Sequence, residues 1–526
     1  MYIDISQNVY DDTKIDKFMN SLLILQGSKD IMNNIIQNPI YDKELLMNRQ
    51  IAIKNCPDYE KGLYILAEYE NDIEWALNLS SNIDSDEDKA TLFEMLYPMD
   101  WYNKFLNYND EVLTCYHGYK IYLSPLFALS TPITVFLTPF LFLKSTLNIS
   151  FSTYVRTLKE FLMLSFKSTF SLTTLVTYII YILLYFYGLY QQTSLCWTLH
   201  KARLNLFQRV EGVAKFIRTA KEIFNNIQDI WSPFKEFSVN RLNNLSLDAG
   251  NLSDVFSLWQ DKHFINEIKI ARDMVYILDV VNTCNNLYKN TNWCMVKYLG
   301  KNGITKFTHM KNPLLDHTQV GNPVLLGKNY IVTAANASGK TTYVKSIVCN
   351  YILAQTIGLC MAKSANIQIV ECIATFMRLN DIVGTCSFFE IEANYCKMML
   401  EKAEKFKNTN ALFVLDEPLH GTPPTEGAAM AYAFCEYLAL NYSKSIRFIV
   451  TSHYHSLTEL VKLYPNLFMN LSMDVIQLDK YEFKFPYKIQ NKPSFQSIAI
   501  ELLGKREFPE ELIESAINFK NKLVDM

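Results

Sequence analysis

Residues 329–343 leave this chain few ways to fold. Asn329-Tyr-Ile-Val-Thr is a short apolar run, followed by the small-residue segment Ala334-Ala-Asn-Ala-Ser-Gly-Lys-Thr-Thr and by a helix-forming run from Tyr343. Strand, loop and helix in that order wrap backbone N–H groups and a helix N-terminus around one point, which suits an anion. The pattern G-x-x-x-x-G-K-[ST] holds nucleotide phosphates in this way. Its second half is intact as Gly339-Lys340-Thr341, and Ala334 stands where the first glycine would be. Alanine supplies the same N–H, although a positive φ there would cost about 1 kcal/mol. The candidate ATP-binding residues are therefore Ala334, Ala335, Asn336, Ala337, Ser338, Gly339, Lys340, Thr341 and Thr342. Lys340 is expected on the β/γ-phosphate oxygens. Thr341 is expected to offer its hydroxyl to Mg²⁺.

Two further strand ends give the loop its context. Ala411-Leu-Phe-Val-Leu runs into Asp416-Glu417, which places two carboxylates at the carboxyl edge of a parallel sheet. Asp416 is expected to hold Mg²⁺ through water, and Glu417 to polarise the attacking water. Ser445-Ile-Arg-Phe-Ile-Val-Thr-Ser ends at His453, within reach of the γ-phosphate side. Each feature alone says little. Three strand ends in this order predict an α/β ATP-binding domain.

The rest of the chain has another character. Half of the 526 residues are hydrophobic (49%) and 20% are charged, which excludes a disordered chain. Ile121–Leu143 holds 23 residues without a charge, and Ser168–Leu199 holds 32. About 20 apolar residues suffice to span a bilayer, so the two predict a transmembrane hairpin over 120–200. Pro125, Pro132 and Pro139 would kink the first member, which membrane helices tolerate. A buried helical pair in a large core is the alternative. Lys144, Arg156, Lys159 and Lys167 lie between the two stretches, and Lys120, Lys201, Arg203 and Arg209 flank them, so charge does not orient the hairpin. ATP chemistry downstream would place both termini in the cytosol.

After the hairpin, Leu204, Phe207, Val210, Val213, Phe216, Ala220 and Ile223 fall on one helical stripe over 201–228. Residues 264–290 repeat the pattern, and two such helices could act as levers. The first 100 residues carry 8 Lys/Arg against 19 Asp/Glu, a balance that repels a phosphate backbone. The 11 cysteines form no C-x-x-C pair, so zinc ribbons are disfavoured and reduced thiols are expected. The acidic start does not read as a cleavable signal peptide.

The motif residues resemble the MutS family of DNA mismatch-repair ATPases, a branch of the ABC-type ATPases. Ala334-Ala-Asn-Ala-Ser-Gly-Lys-Thr-Thr-Tyr is similar to the family's GPNMGGKSTY. Leu415-Asp-Glu-Pro-Leu-His-Gly-Thr is similar to MDEIGRGT, and Thr451-Ser-His-Tyr-His-Ser-Leu-Thr-Glu-Leu to ATHYHELTEL. Ser387-Phe-Phe-Glu-Ile-Glu resembles STFMVE, a segment that faces the partner's nucleotide across a dimer. The resemblance therefore implies a homodimer and makes Ser387 a catalytic candidate beside Glu417, Lys340 and His453. Asn38 to Ile53 resembles the family's core run P-x-x-D-x-x-x-L-x-x-R-Q-x-x-I.

It implies an α/β C-terminal P-loop (ABC/MutS-type) ATPase domain joined to an all-α core/lever domain with an inserted hydrophobic helical hairpin. The expected divisions are 1–119 and 201–295 for the helical core and lever, 120–200 for the hairpin, 296–490 for the ATPase, and 491–526 for a helical dimerisation segment. No counterpart of the family's mismatch-reading Phe-x-Glu wedge is expected, and the hairpin stands where the DNA clamp would be inserted. DNA binding thus stays open: a membrane-anchored MutS-like ATPase and a DNA-binding tether whose ATPase gates assembly would show it, and a DNA-independent mechanochemical membrane ATPase would not.

Overall fold

The computed structural model describes residues 2–6, 8–79, 95–96, 104–168, 172–227, 245, 247, 251–300, 303–315, 318–377, 388–421, 423–506 and 508–525. These fall into two compact units. The described parts of 64–228 and 236–275 form one, and those of 1–63 and 276–526 belong to the other.

The described residues of the first-named unit are helical or irregular, with no strand among them. Helix α1 runs over Asp110–Leu147, with one π-helical turn at Tyr119–Leu123. Pro132 and Pro139 sit inside it without ending it, and Asn148, in the left-handed region at φ 51°, closes it. Helix α2 covers Phe151–Ser168. Helix α3 covers Leu172–Ile227, 56 residues without interruption, or about 84 Å at 1.5 Å per residue. It thus carries both the apolar stretch to Leu199 and the amphipathic stripe beyond it. From Val210 onward that stripe is buried, and Gly212 allows the helix Glu70–Leu79 to come close. A Cβ at Gly212 would lie 1.9 Å from the Asp72 carboxylate, which is paired with Arg209 at 2.7 Å.

Among the described residues α1 alone is long and apolar enough to cross a membrane. Part of the other expected span, the side chains of 172–175, lies outside the described residues. Helix α4, Lys262–Lys289, contains the division between the two units.

The other unit is a mixed α/β region built on a six-stranded parallel sheet. Its strands are β1 (Asp4–Ile5), β2 (Asn329–Ala334), β3 (Cys372–Phe376), β4 (Ala411–Asp416), β5 (Ile446–Thr451) and β6 (Phe468–Met473). The order across the sheet is β1-β3-β4-β5-β2-β6. Both faces are covered, so the strands read as continuous apolar runs. Tyr330, Val332, Leu412, Val414 and Ile449 enter one core, and Ile331, Phe413, Leu415, Phe448 and Val450 the other. This alternation is the period of two of an extended chain.

Helix α5 (Lys340–Ala354) packs into the first core with the N-terminal residues Ile15, Met19, Met32, Ile36, Leu46 and Ile53. Helices α6 (Phe388–Lys405) and α7 (Pro424–Tyr442) line the second. The N-terminal strand β1 extends the sheet at its edge, where Asp4 pairs with Lys402 and with Lys405 on α6. A five-stranded sheet of residues 294–299, 306–310, 322–325, 359–360 and 364–368 belongs to the same unit.

Register decides where the ends of the strands meet. Thr451 on β5 lies opposite Asp416 on β4 and opposite Val332 on β2. The carboxyl ends of β4 and β5 are therefore level, and β2 runs two residues beyond them to Ala334. Phe448 is fully buried and meets the Phe468 ring edge-on, with centroids 5.8 Å apart. Phe448→Ala is expected to destabilise the chain by about 3–5 kcal/mol, read as a lowered midpoint in urea denaturation.

Candidate active site

The loop between β2 and α5 turns on residues that tolerate unusual backbone. Gly339 has φ 102° and caps α5, and Ala337 has φ 61°. Ala334, by contrast, remains in the strand as the last residue of β2. The position that lacks the glycine is thus extended, and the strain expected there falls on Ala337 instead. Opposite the loop, β4 ends at Asp416, and the chain turns sharply with Glu417 at φ 52° and Leu419 at φ 63°. Such conformations are costly for side chains with a Cβ and persist where the surroundings fix them. Here Glu417 N–H donates to both the carbonyl (3.0 Å) and the hydroxyl (3.1 Å) of Thr451. Buried Glu392 on α6 accepts from the N–H groups of His420 (3.0 Å) and Gly421 (3.1 Å), and Tyr454 donates to the Leu419 carbonyl (2.9 Å).

Five sequence-predicted side chains form two adjacent clusters with a sixth, Thr451. Lys340 Nζ donates to the Ala334 carbonyl at 2.9 Å and lies 3.5 Å from Glu417 Oε1 and 3.0 Å from His453 Nε2. His453 Nε2 is 2.9 Å from Glu417 Oε1. A single imidazole nitrogen either donates to Glu417 or accepts from Lys340, so the three groups hold one shared arrangement. Beside them the Thr341 hydroxyl donates to Asp416 Oδ2 at 2.9 Å, and the Thr451 hydroxyl donates to Asp416 Oδ1.

Electrostatics follow from burial and pairing. The hydrogen bond from His453, with Lys340 nearby, holds the Glu417 carboxyl down at about 2. Burial pushes Asp416 up, against the pull of the two threonine hydroxyls. Burial also pulls the Lys340 ammonium below its ordinary value, with Glu417 and Asp416 opposing. A buried cation between two carboxylates and a helix N-terminus is arranged to receive phosphate.

A cavity of about 690 Å³ opens over the loop, lined by Ala335 to Tyr343 and by Glu417, Asn312, Asn322, Met473 and Tyr487. Tyr487 was not foreseen. Its ring would lie 3.1 Å from a Cβ at Gly339, and its carbonyl is held by Asn322 Nδ2 at 2.9 Å. It stands in an irregular segment where no periodicity flags it. Thr451 is the other residue missed as a site member, although a fully buried threonine at a strand end beside an acidic strand end is a legible signal. Ser387 lies outside the described residues, and α6 begins at the next position.

Among the described residues no group of three or more His, Cys, Asp or Glu could hold a metal ion. Thr341, which lines the cavity, and Asp416, hydrogen-bonded to it, are two hard oxygen donors side by side. That set fits Mg²⁺, which keeps several waters and takes further oxygens from phosphate.

This sheet order and loop describe a mixed α/β region with a P-loop-like sheet, whose loop and helix N-terminus suit an anion. Residues 330–524 match MutS domain V. The DNA mismatch repair protein MutS of Finegoldia magna is 29% identical over 263 residues, covering 48% of this chain and 30% of that protein. That of Leuconostoc mesenteroides is 27% identical over 257 residues, covering 47% and 29%. That of Pseudothermotoga lettingae is 31% identical over 191 residues, covering 36% and 23%. The homology is thus to the MutS ATPase domain, and this chain matches about three tenths or less of each of these relatives.

Thr451→Val keeps the volume and removes the hydroxyl that serves Asp416 and Glu417. It is expected to lower stability by about 1–3 kcal/mol, measured by thermal denaturation without nucleotide.

Proposed function

We propose that the chain is a MutS-like ATPase that binds and hydrolyses ATP as a homodimer, anchored to a membrane by its apolar helical hairpin. The observation that carries this reading is the convergence of Lys340, Thr341, Asp416, Glu417 and His453 at the carboxyl ends of three parallel strands.

The loop N–H groups from Ala335 to Thr342 would seat the phosphates, with Lys340 leaving Glu417 for the β/γ oxygens. Mg²⁺ held by Thr341 and, through water, by Asp416 would neutralise phosphate charge. Glu417, freed from Lys340, would orient and polarise the attacking water, with His453 steering its carboxylate from the γ-phosphate side. Tyr487 would give the base an apolar wall. Ser387 of the other subunit would complete each site, and residues 491–526 would serve dimerisation. Closure would travel through helices over 201–228 and 264–290.

The membrane assignment is supported by the surface of α1. Most of its side chains from Leu123 to Leu147 are exposed, Phe127 and Val135 among them. Its hydroxyls are satisfied within the helix, as hydrocarbon demands. Ser130 donates to the Phe127 carbonyl at 2.8 Å, Thr134 to Ser130 at 3.0 Å, and Thr138 to Thr134 at 2.7 Å. Both termini and the ATPase domain would face the cytosol, where ATP is.

The names of the relatives point to DNA handling, and DNA is a candidate partner on that ground. The second reading, a DNA-independent mechanochemical ATPase, is favoured by the acidic first 100 residues. ATP hydrolysis by the detergent-solubilised chain, with and without duplex or branched DNA, separates the two. Stimulation that fades with salt supports the first, and a rate indifferent to DNA supports the second. Glu417→Gln is expected to retain ATP binding and to lose about 10²-fold or more in turnover. Undiminished turnover would refute the role given to Glu417.

A further inference from the structure

Helix α2 is amphipathic, and its first turn is docked on α1. Phe151 and Tyr154, in its first turn, pack on α1: the Phe140 ring lies 5.1 Å from Phe151 and 5.3 Å from Tyr154, and the Tyr154 hydroxyl donates to the Phe136 carbonyl at 2.9 Å. From Val155 to Leu164 the side chains are exposed, with Leu158 half-buried. At about 100° per residue Phe151, Val155, Leu158 and Leu162 share one stripe, with Phe161 on one flank and Lys159 and Arg156 on the other. Phe161 is 66% exposed and Leu162 46%.

Two occupants could cover such a face: protein or lipid. Charge separates them. From Lys144 to Lys167 the chain carries four basic residues and a single acid, Glu160. The helix also follows directly on α1, the helix long and apolar enough to cross a membrane, and precedes the apolar start of α3. A basic border along an apolar stripe, tethered to a spanning helix, matches a leaflet with anionic headgroups: the stripe enters the acyl boundary while the cations meet phosphate.

We propose that α2 is an interfacial helix at the tip of the hairpin that lies on an anionic lipid leaflet, the one opposite the termini, with Arg156 and Lys159 on lipid phosphates and Val155, Leu158 and Leu162 below them. This rests on the reading of the hairpin as membrane-embedded. It adds a lipid preference that an apolar span does not confer.

The test is hydrogen–deuterium exchange of the full chain in nanodiscs of neutral phosphatidylcholine and in nanodiscs containing phosphatidylserine. Amides of 155–164 are expected to exchange at least about tenfold more slowly in the anionic discs. The Arg156→Glu/Lys159→Glu variant is expected to abolish the difference while keeping wild-type ATP turnover, which reports that it folds. Equal protection of 155–164 in neutral and anionic discs would overturn the proposal and leave the face to protein or to hydrocarbon alone. Fast exchange there in both discs, with 124–147 protected, would overturn it and leave the hairpin reading standing. Fast exchange of 124–147 in both discs would remove the hairpin reading and this proposal with it.

Discussion

The alignment of β2, β5 and β4 is the constraint on which the site depends. A parallel sheet buried on both faces has little room for carboxylates along its strands, so they collect where the strands stop. Val332, Thr451 and Asp416 share one level, so Lys340, His453 and Glu417, which follow them in sequence, are delivered to one place. A one-residue slip of β5 against β4 would exchange Val450 for Thr451 beside Asp416. It would also turn every side chain of the strand to the opposite core, which the packing of Phe448 and Ile449 into different clusters forbids. Hydrophobic packing thus sets the geometry of the charged groups.

Within that frame the charged groups hold each other. Lys340 is 5% exposed, and a buried ammonium is stable only with partners. It has a carbonyl, a carboxylate and an imidazole around it, all of which a phosphate could displace. The left-handed backbone at Glu417 is compatible with folding because Thr451 takes its N–H and Glu392 takes the next free ones at His420 and Gly421. Glu392 belongs to the helix that begins one residue after Ser387. The turn that aims Glu417 is therefore anchored to the first turns of α6 through one buried carboxylate.

Much of this was legible in the sequence, and the parts that were not share a cause. The strands at 329, 411 and 446 announce themselves as apolar runs ending in Ala334, Asp416 and Thr451, because burial on both faces imposes that composition. Local chemistry also marks Gly339, the one site among the described residues where φ exceeds 100°. By contrast, β1 is two residues long, and its place at the sheet edge is set by pairing with Cys372 and Ile373, far away in sequence. Tyr487 reaches the loop from an irregular segment fixed by Asn322, which no periodicity encodes. The uninterrupted course of α3 was equally hidden, since the change from an uncharged to an amphipathic pattern at Leu199 reads as a boundary although the backbone need not notice it.

That change of pattern along a single helix has a physical meaning. On α3, Ile180, Leu183, Phe186 and Tyr187 are exposed, whereas Val210, Val213 and Phe216 are buried. The backbone hydrogen bonds of a helix are internal, so the helix is indifferent to whether its surroundings are hydrocarbon, protein or water. Only the side chains must match the medium, and they change within about three turns around the first cations, Lys201 and Arg203. Where hydrocarbon meets water, a loop would leave backbone groups to be satisfied at the border, and a continuous helix avoids that cost. On α3 the exposed apolar stretch and the buried stripe are joined by one uninterrupted run of helical hydrogen bonds.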